Sequence, residues 1–245
     1  MNFMTSFPPK ADDIAVVIGL KAGPSPSGAA WAGESQRSEC LRQWVMALRG
    51  GNFPVPAARA ILSEYSAKYL PATVDRFLVG HVAFPVLEFN MIMSVYDLPH
   101  FGRYLRSKHP IAAPGKRLCR VVAERFAAII KFHQRSNTTS HLHTDCRPHM
   151  ELLLEILNFH WKDQEAIPSD VEDTLMSFLE DCQNSADESV QEIGWSLYLR
   201  IQEGPLLGAD PSDRLRGKNV CGLPGCGINN DLKNCGRCVL VSYDL

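Results

Sequence analysis

The amino-acid sequence predicts an all-α protein, built as a multi-helix bundle or an irregular α-solenoid-like body with a small cysteine-rich segment at its C-terminal end. Apolar residues recur at spacings of three and four along most of the chain, which is the period of helices with one buried face. The alternating pattern of a strand occurs only over residues 239–241. Proline and glycine separate the periodic segments. We therefore expect about seven to nine helices in one helical domain over residues 1–203.

Three candidate helices occupy the first half of the chain, after a loop. Residues 20–34 are rich in glycine, proline and small side chains, so we expect a flexible loop there. The helical period then covers residues 39–48, 55–70 and 73–95. Because proline lacks a backbone N–H and disfavours a helical residue before it, Pro71 is expected to separate the second candidate from the third.

The clearest helix of the second half follows the break at Pro114 and Gly115. Its apolar residues fall on one stripe, and most of its charged residues fall on the other side. Residues 150–161 are apolar nearly all round, as expected for a helix at the centre of a bundle. The stripe of the first of these helices comprises Leu118, Val121, Val122, Phe126, Ile129, Ile130 and His133.

Two later helices carry sequence signals for their N-terminal ends. Ser169 with Glu172, and Ser185 with Glu188, each fit the capping box, in which the two side chains bind backbone N–H groups of the first turn. An apolar series at helical spacing follows each pair. We therefore expect helices that begin just after Ser169 and just after Ser185.

The balance of charges and apolar residues limits the classes of partner. Lys plus Arg is 25 and Asp plus Glu is 27, so the net charge of −2 disfavours nucleic acid as a partner. The most apolar stretch, residues 77–93, contains Pro85 and Glu88 and predicts an interrupted buried helix rather than a membrane span. The first residues lack the basic start and apolar run of a secretory signal. We expect an intracellular protein, cytoplasmic or nuclear and not secreted, without a membrane partner.

Eight cysteines are unevenly placed, and their positions carry the strongest functional signal. Cys40, Cys119 and Cys182 lie on apolar helical faces and are expected to be small buried hydrophobic residues. After residue 203, glycine and proline break the helical period, which predicts a linker over residues 204–220. Four cysteines then follow within eighteen residues, at positions 221, 226, 235 and 238.

The spacing of these four cysteines is that of a metal site. Cys221 and Cys226 are separated by four residues and Cys235 and Cys238 by two, in the forms CGLPGC and CGRC. Such short turns let two thiolates approach the same zinc ion, and in a reducing compartment metal binding is favoured over a disulfide. The pattern predicts that Cys221, Cys226, Cys235 and Cys238 are ligands of Zn2+.

The cysteine segment also resembles a known family. CGLPGC at 221–226, LKNCGRC at 232–238 and Tyr243 are similar to the opening half of a MYND-type zinc finger, of the kind found in many fungal proteins behind a helical body. The resemblance covers residues 221–245, about a tenth of the chain. It implies zinc binding and a role in protein–protein interaction with a protein partner that it does not identify.

The segment departs from the family's pattern in its ligands. A complete finger has a cysteine directly after the aromatic residue, where this sequence has Asp244. In the family's interleaved arrangement Cys221 and Cys226 would hold one zinc and Cys235 and Cys238 a second, with two protein thiolates on each. We therefore expect a truncated, partial MYND-like finger. Three arrangements stay open: one zinc held by all four cysteines, a half-site completed by Asp244 or by a histidine of the body, and a metal-free remnant.

A second group of metal-ligating residue types lies in the polar stretch over residues 136–148 and just beyond it. His141, His143, Cys146 and His149 fall within nine residues, and imidazole and thiolate both suit zinc. Because the stretch is polar and breaks the helical period, we expect a solvated loop here rather than a closed metal site.

Two functions are consistent with the sequence. No nucleophile elbow, His-Glu-x-x-His helix, phosphate-binding loop or dinucleotide-binding turn is found, so no catalytic motif supports an enzyme. The first function is a zinc-binding, protein-interaction protein that uses the finger. The alternative is a helical scaffold that binds a partner peptide and carries a vestigial, metal-free finger.

Overall fold

The computed structural model confirms the all-α fold in the part of the chain that it describes. It describes residues 8–26, 28–79, 86–107, 114–136, 142–158 and 165–203. Those residues form nine helices and no strand. The predicted linker over 204–220 and the predicted finger over 221–245 lie outside the described residues, so both stay predictions.

The helices fall into two compact units whose boundary lies between Pro114 and Gly115. Unit 1 is used here for the described residues up to Pro114, and unit 2 for those from Gly115 to Glu203. The boundary coincides with the Pro-Gly break that precedes the clearest helix of the sequence.

Unit 1 is organised around its longest helix, α3. This helix packs against each of the other four helices of the unit, and their facing side chains form one core that includes the fully buried Tyr65, Phe77, Met91 and Phe101. The five helices of the unit are α1 (Ala11–Val17), α2 (Glu34–Arg49), α3 (Val55–Val79), α4 (Val86–Val95) and α5 (Pro99–Arg106).

The expected helix break at Pro71 is wrong, because α3 continues through this residue. Side chains on both sides of the proline in the sequence form hydrogen bonds with each other and with the backbone of α3. The Thr73 hydroxyl donates to the Tyr69 carbonyl at 2.8 Å, and the Tyr65 hydroxyl lies 2.6 Å from Thr73 Oγ1. Pro71 is itself buried within the unit. Tertiary burial therefore outweighs the local cost of a proline inside a helix, which is about 3 kcal/mol.

An arginine of α2 closes the C-terminal end of α1. Arg37 Nη1 donates to the carbonyls of Val16 and Val17 at 2.7 and 3.0 Å, in the last turn of the helix. The Val16 carbonyl also accepts the Gly19 backbone N–H at 3.0 Å. Its guanidinium also lies 4.8 Å from the centre of the Trp31 ring. Gly19 follows α1 with a φ of +79°, a conformation that glycine adopts without strain. Arg37 thus ties the loop and the two helices that flank it together.

Unit 2 is a bundle of four helices. The first, α6, packs on α7 and α8, and α9 packs on α7 and α8. The predicted stripe of α6 is confirmed for five of its seven residues. Val121 and Ile129 are half-buried, and the buried residues are Leu118, Val122, Phe126, Ile130 and His133. The bounds of the helices are α6 (Gly115–Ser136), α7 (Leu142–Asn158), α8 (Ser169–Cys182) and α9 (Glu188–Glu203).

Neither predicted capping box forms in the described structure. Ser169 is the first residue of α8 and Pro168 holds the cap position, with no side-chain cap hydrogen bond. At α9 the capping side chain is Asp187, whose Oδ1 accepts the Ser189 backbone N–H at 2.9 Å, while Ser185 Oγ accepts the Asp187 N–H. An aspartate two residues nearer the helix thus replaces the serine as the cap.

The interrupted apolar stretch over residues 77–93 belongs to α3 and α4, with residues 80–85 outside the described part. Among the described residues, no helix combines the length and the apolar character needed to cross a membrane.

Candidate functional site

The four cysteines of the predicted zinc site, Cys221, Cys226, Cys235 and Cys238, all lie outside the described residues. Their assignment as ligands stays a prediction from spacing and from the resemblance of the segment. The structure does describe the burial and the partners of the other four cysteines and of His143, Cys146 and His149.

The histidine group is not a loop where the structure describes it, which corrects the sequence-based expectation. His143, Cys146 and His149 lie on α7, which begins at Leu142 and continues through Pro148. His141 lies outside the described residues. The signal was present in the sequence, because positions 143, 146, 149 and 153 continue the helical spacing of the apolar residues that follow. The polar residues between these positions made the helical spacing difficult to recognise.

The side chains of this group have structural partners. His143 Nδ1 lies 3.2 Å from Ser185 Oγ. The His143 and Phe178 rings are in a T-shaped contact with their centroids 5.8 Å apart. His149 is buried and stacks on Phe126, with ring centroids 6.2 Å apart. Within the described residues, no three His, Cys, Asp or Glu side chains come together in a way that could hold a metal ion. The group therefore packs α7 into the bundle.

Burial decides the protonation of His149. The low-polarity surroundings lower its pKa to about 4, because they disfavour the charged imidazolium. A hydrogen bond with the Asp145 backbone acts in the opposite direction, and the positive charge of Arg125 adds to the lowering. His149 is therefore neutral at physiological pH.

The four cysteines of the helical body are small buried hydrophobic residues. Cys40, Cys119, Cys146 and Cys182 are at most 1% exposed, which confirms the expectation for the three that the sequence assigns to apolar faces. Burial raises the pKa of each thiol to about 12. None of these sulfurs is available as a thiolate near neutral pH, and zinc binds the thiolate form.

A polar bridge joins α7 to the start of α9. Arg147 donates from Nη1 to Ser189 Oγ at 2.9 Å and from Nε to Glu151 at 2.9 Å. Ser189 in turn donates from its hydroxyl to Asp187 Oδ1 at 2.6 Å. These Ser189 hydrogen bonds are the main reason why the pKa of Asp187 is lowered. The bridge ties the start of α9 to α7.

The outer face of α9 carries a feature that the sequence does not single out. Trp195 is 48% exposed and stacks on Tyr198 with ring centroids 5.6 Å apart and an angle of 8° between the planes. From the sequence, Trp195 is expected to pack in a core or an interface. Its position off the buried stripe of Val190, Gly194 and Leu197 is the signal that places it outside.

No protein-family model, no curated protein and no solved structure matches this chain.

Proposed function

We propose that this chain is a zinc-binding, protein-interaction protein whose MYND-like segment over residues 221–245 holds Zn2+ through Cys221, Cys226, Cys235 and Cys238. The observation that carries the proposal is the division of the eight cysteines into two groups. Four are clustered at ligand spacing, and the other four are buried in helices as protonated thiols.

The burial of the body thiols supports the clustered cysteines as ligands. A thiol whose pKa is about 12 must lose its proton and leave its apolar site to bind zinc, and both steps cost free energy. The described histidines add no competing site, because His143 and His149 are held by packing on Phe178 and Phe126. Thiolate ligands for zinc are therefore sought in residues 221–238.

Metal binding would also explain how so short a segment could fold. A segment of 25 residues cannot bury an apolar core of its own, and structural zinc supplies the missing folding free energy in small domains of this kind. The role in binding a protein partner comes from the resemblance to the MYND-type family. The family's fingers act as interaction modules, so the finger would present its surface to a partner only when zinc is bound.

The test is the zinc content of the purified full chain, prepared without a histidine tag and measured by elemental mass spectrometry. The wild type is compared with a Cys235→Ser, Cys238→Ser variant and with the neighbouring control Asn234→Ser, which keeps all eight thiols. We expect zinc in the wild type and the control, and its loss in the double variant.

Two results contradict the proposal. Zinc that persists in the double variant would place the metal elsewhere in the chain. A wild type without zinc would favour the alternative function, a helical scaffold with a metal-free finger.

A further inference from the structure

The outer face of α9 in unit 2 combines an exposed tryptophan, stacked on a half-buried tyrosine, with several acidic residues. Glu188, Glu192 and Trp195 follow one another at helical spacing and are all exposed, and Tyr198 lies one turn beyond Trp195. Glu180 of α8 borders the pair, since the Tyr198 hydroxyl donates to Glu180 Oε1 at 3.5 Å. These five residues are called the acidic aromatic face below.

The acidic aromatic face lies in the most acidic part of the described chain. Residues 165–203 contain ten Asp or Glu and one basic residue, Arg200, whereas α6 of the same unit contains six Lys or Arg and one Glu. The charge is therefore segregated within unit 2, although the whole chain carries a net charge of only −2. Such segregation creates a local negative potential that attracts cationic groups.

Among the described residues, the carboxylates of this face have no cationic partner. Glu180, Glu188 and Glu192 form no ion pair in the described structure, while acidic residues elsewhere do, such as Glu124 with Arg120 at 2.8 Å. Unpaired carboxylates that surround an exposed tryptophan can accept hydrogen bonds from Lys or Arg without breaking an existing pair. The indole ring adds the best aromatic surface for a cation–π contact.

We infer that the acidic aromatic face is a docking surface for a basic, amphipathic peptide segment of a partner protein. Its apolar side chains would pack on the Trp195–Tyr198 pair, and its Lys or Arg side chains would pair with Glu188, Glu192 and Glu180. The surface includes no residue of the cysteine segment, so we expect docking without zinc.

The charge of the face argues for this occupant over two others. A second copy that used the same face would bring the same acidic residues against it, and like charges in contact cost free energy. A nucleic acid is an anion and would be repelled for the same reason. A basic peptide gains both from the charge and from burial of the aromatic pair, and tryptophan and tyrosine are the residue types that most often dominate peptide and protein binding.

The test uses the full chain and a fluorescein-labelled synthetic peptide of about 14 residues, with lysine and leucine at spacings of three and four so that it forms a basic amphipathic helix. Binding is measured by fluorescence anisotropy, with and without a zinc chelator. A second peptide with glutamate in place of every lysine is the ligand control. We expect saturable binding of the lysine peptide only, unaffected by the chelator and weakened as the salt concentration rises.

Two variants of the face and one matched control separate binding at this face from general attraction to an acidic protein. The double variant Glu188→Gln, Glu192→Gln removes two charges from the face. Its matched control, Asp170→Asn, Asp173→Asn, removes two exposed charges near the N-terminal end of α8, away from Glu180. The two double variants are matched because each removes one acidic residue from the first turn of a helix, Asp170 in α8 and Glu188 in α9. Trp195→Ala removes the aromatic anchor, and circular dichroism checks that each variant keeps the helical content of the wild type.

We expect Trp195→Ala and the Glu188, Glu192 double variant each to weaken binding by at least about tenfold, and the Asp170, Asp173 control by less than about twofold. Equal weakening by both double variants, or no saturable binding of the lysine peptide below about 1 mM, would overturn the inference. Arg214, Arg216 and Lys218 form a basic stretch just before the cysteine segment. Binding that emerges only in the triple variant Arg214→Gln, Arg216→Gln, Lys218→Gln would also overturn the inference, because this stretch of the chain would then be the occupant of the face.

Discussion

Tyr65 and Thr73 meet across Pro71 in the interior of α3, with their hydroxyl oxygens 2.6 Å apart. Because the Thr73 hydroxyl gives its proton to the Tyr69 carbonyl, the Tyr65 hydroxyl is the donor to Thr73 Oγ1. Both side chains are fully buried. Both buried hydroxyls therefore have hydrogen-bond partners at the place where Pro71, which has no backbone N–H, removes one hydrogen bond from the helix.

The order of stability loss in two variants tests this arrangement. Tyr65→Phe leaves the Thr73 hydroxyl bound to the Tyr69 carbonyl, so we expect it to lower the free energy of unfolding by about 1 kcal/mol. Thr73→Val leaves the Tyr65 hydroxyl buried without its acceptor, so we expect a larger loss of about 2 kcal/mol. Urea denaturation followed by circular dichroism measures both.

The matched control for this prediction is Thr174→Val in α8. Its hydroxyl donates to the carbonyl four residues earlier, as that of Thr73 does, but the bond is exposed to water, and we expect almost no loss of stability. The arrangement is contradicted if Tyr65→Phe costs as much as Thr73→Val. We also expect the double variant to cost less than the two single variants together.

Gly194 allows α9 to approach α8 closely, and replacing it tests this packing. A Cβ at this position would lie 2.9 Å from Cys182 Cβ and 3.4 Å from Met150 Cε. In an open helix, Gly→Ala stabilises by about 1 kcal/mol. We expect Gly194→Ala to have the opposite sign here and to destabilise unit 2 by about 1 to 3 kcal/mol, because the helices must move apart.

Thermal denaturation of Gly194→Ala measures this effect, with Ser196→Ala on the same helix as the control. The control removes a hydroxyl group from a half-buried side chain and adds no carbon atom, and we expect a change within about 0.5 kcal/mol. A Gly194→Ala chain that is more stable than the wild type would show that α8 and α9 are not in close contact at this position.

The sequence predicts the helices whose burial follows their own period and fails where tertiary contacts decide. The stripe of α6 is regular and polar on its outer side, so both the helix and its buried face follow from spacing. Pro71 and Pro148 were expected to lie at breaks or in a loop, yet both lie inside helices. A proline inside a helix costs free energy locally. The burial that offsets this cost depends on contacts with other helices, and a single sequence does not reveal those contacts.

Candidate sites show the same limit. The metal-ligating residue types of the histidine group are evident in the sequence, but His149 is turned into the bundle and carries no metal partner among the described residues. In contrast, the acidic aromatic face is evident only once Trp195 is known to lie off the buried stripe of α9 and Glu180 is known to border Tyr198. The contact between Glu180 and Tyr198 is between two helices, α8 and α9, and the sequence alone does not show which helices are neighbours.

The buried imidazole of His149 makes unit 2 sensitive to acid. Its pKa is lowered to about 4 in the folded chain, against about 6.5 when unfolded, so between these pH values the unfolded chain binds the extra proton. This contribution to stability is fully present above about pH 6.5 and is lost progressively as the pH falls to about 4. The full loss is about 3 kcal/mol.

A comparison of pH profiles isolates this histidine. In His149→Gln the position does not titrate, and we expect stability measured by urea denaturation to fall less steeply between about pH 6.5 and 4 than in the wild type. His143→Gln, at the half-buried position that faces Ser185, is the control and keeps the steep profile. Identical slopes for His149→Gln and the wild type would contradict the assignment.

The two groups of cysteines are expected to differ in their reaction with a thiol reagent. In the native chain treated with a zinc chelator, we expect 5,5′-dithiobis(2-nitrobenzoic acid) to react rapidly with four thiols. Cys40, Cys119, Cys146 and Cys182 should react at least about 100-fold more slowly, because each is buried and its pKa is raised to about 12. Absorbance of the released chromophore counts both classes.

Variants assign the rapid class, and zinc relates it to the proposed site. In Cys235→Ser, Cys238→Ser the rapid count should fall from four to two, whereas the buried Cys119→Ala should leave it at four as long as the helical content is unchanged. Adding zinc before the reagent should slow the rapid class if these thiolates bind the metal, because a coordinated thiolate is a poorer nucleophile. More than four rapid thiols in the native chain would contradict the burial of the body cysteines, whereas rapid thiols that ignore zinc would contradict only the metal site. The same titration therefore tests the packing of the helical units and the function proposed for the cysteine segment as separate questions.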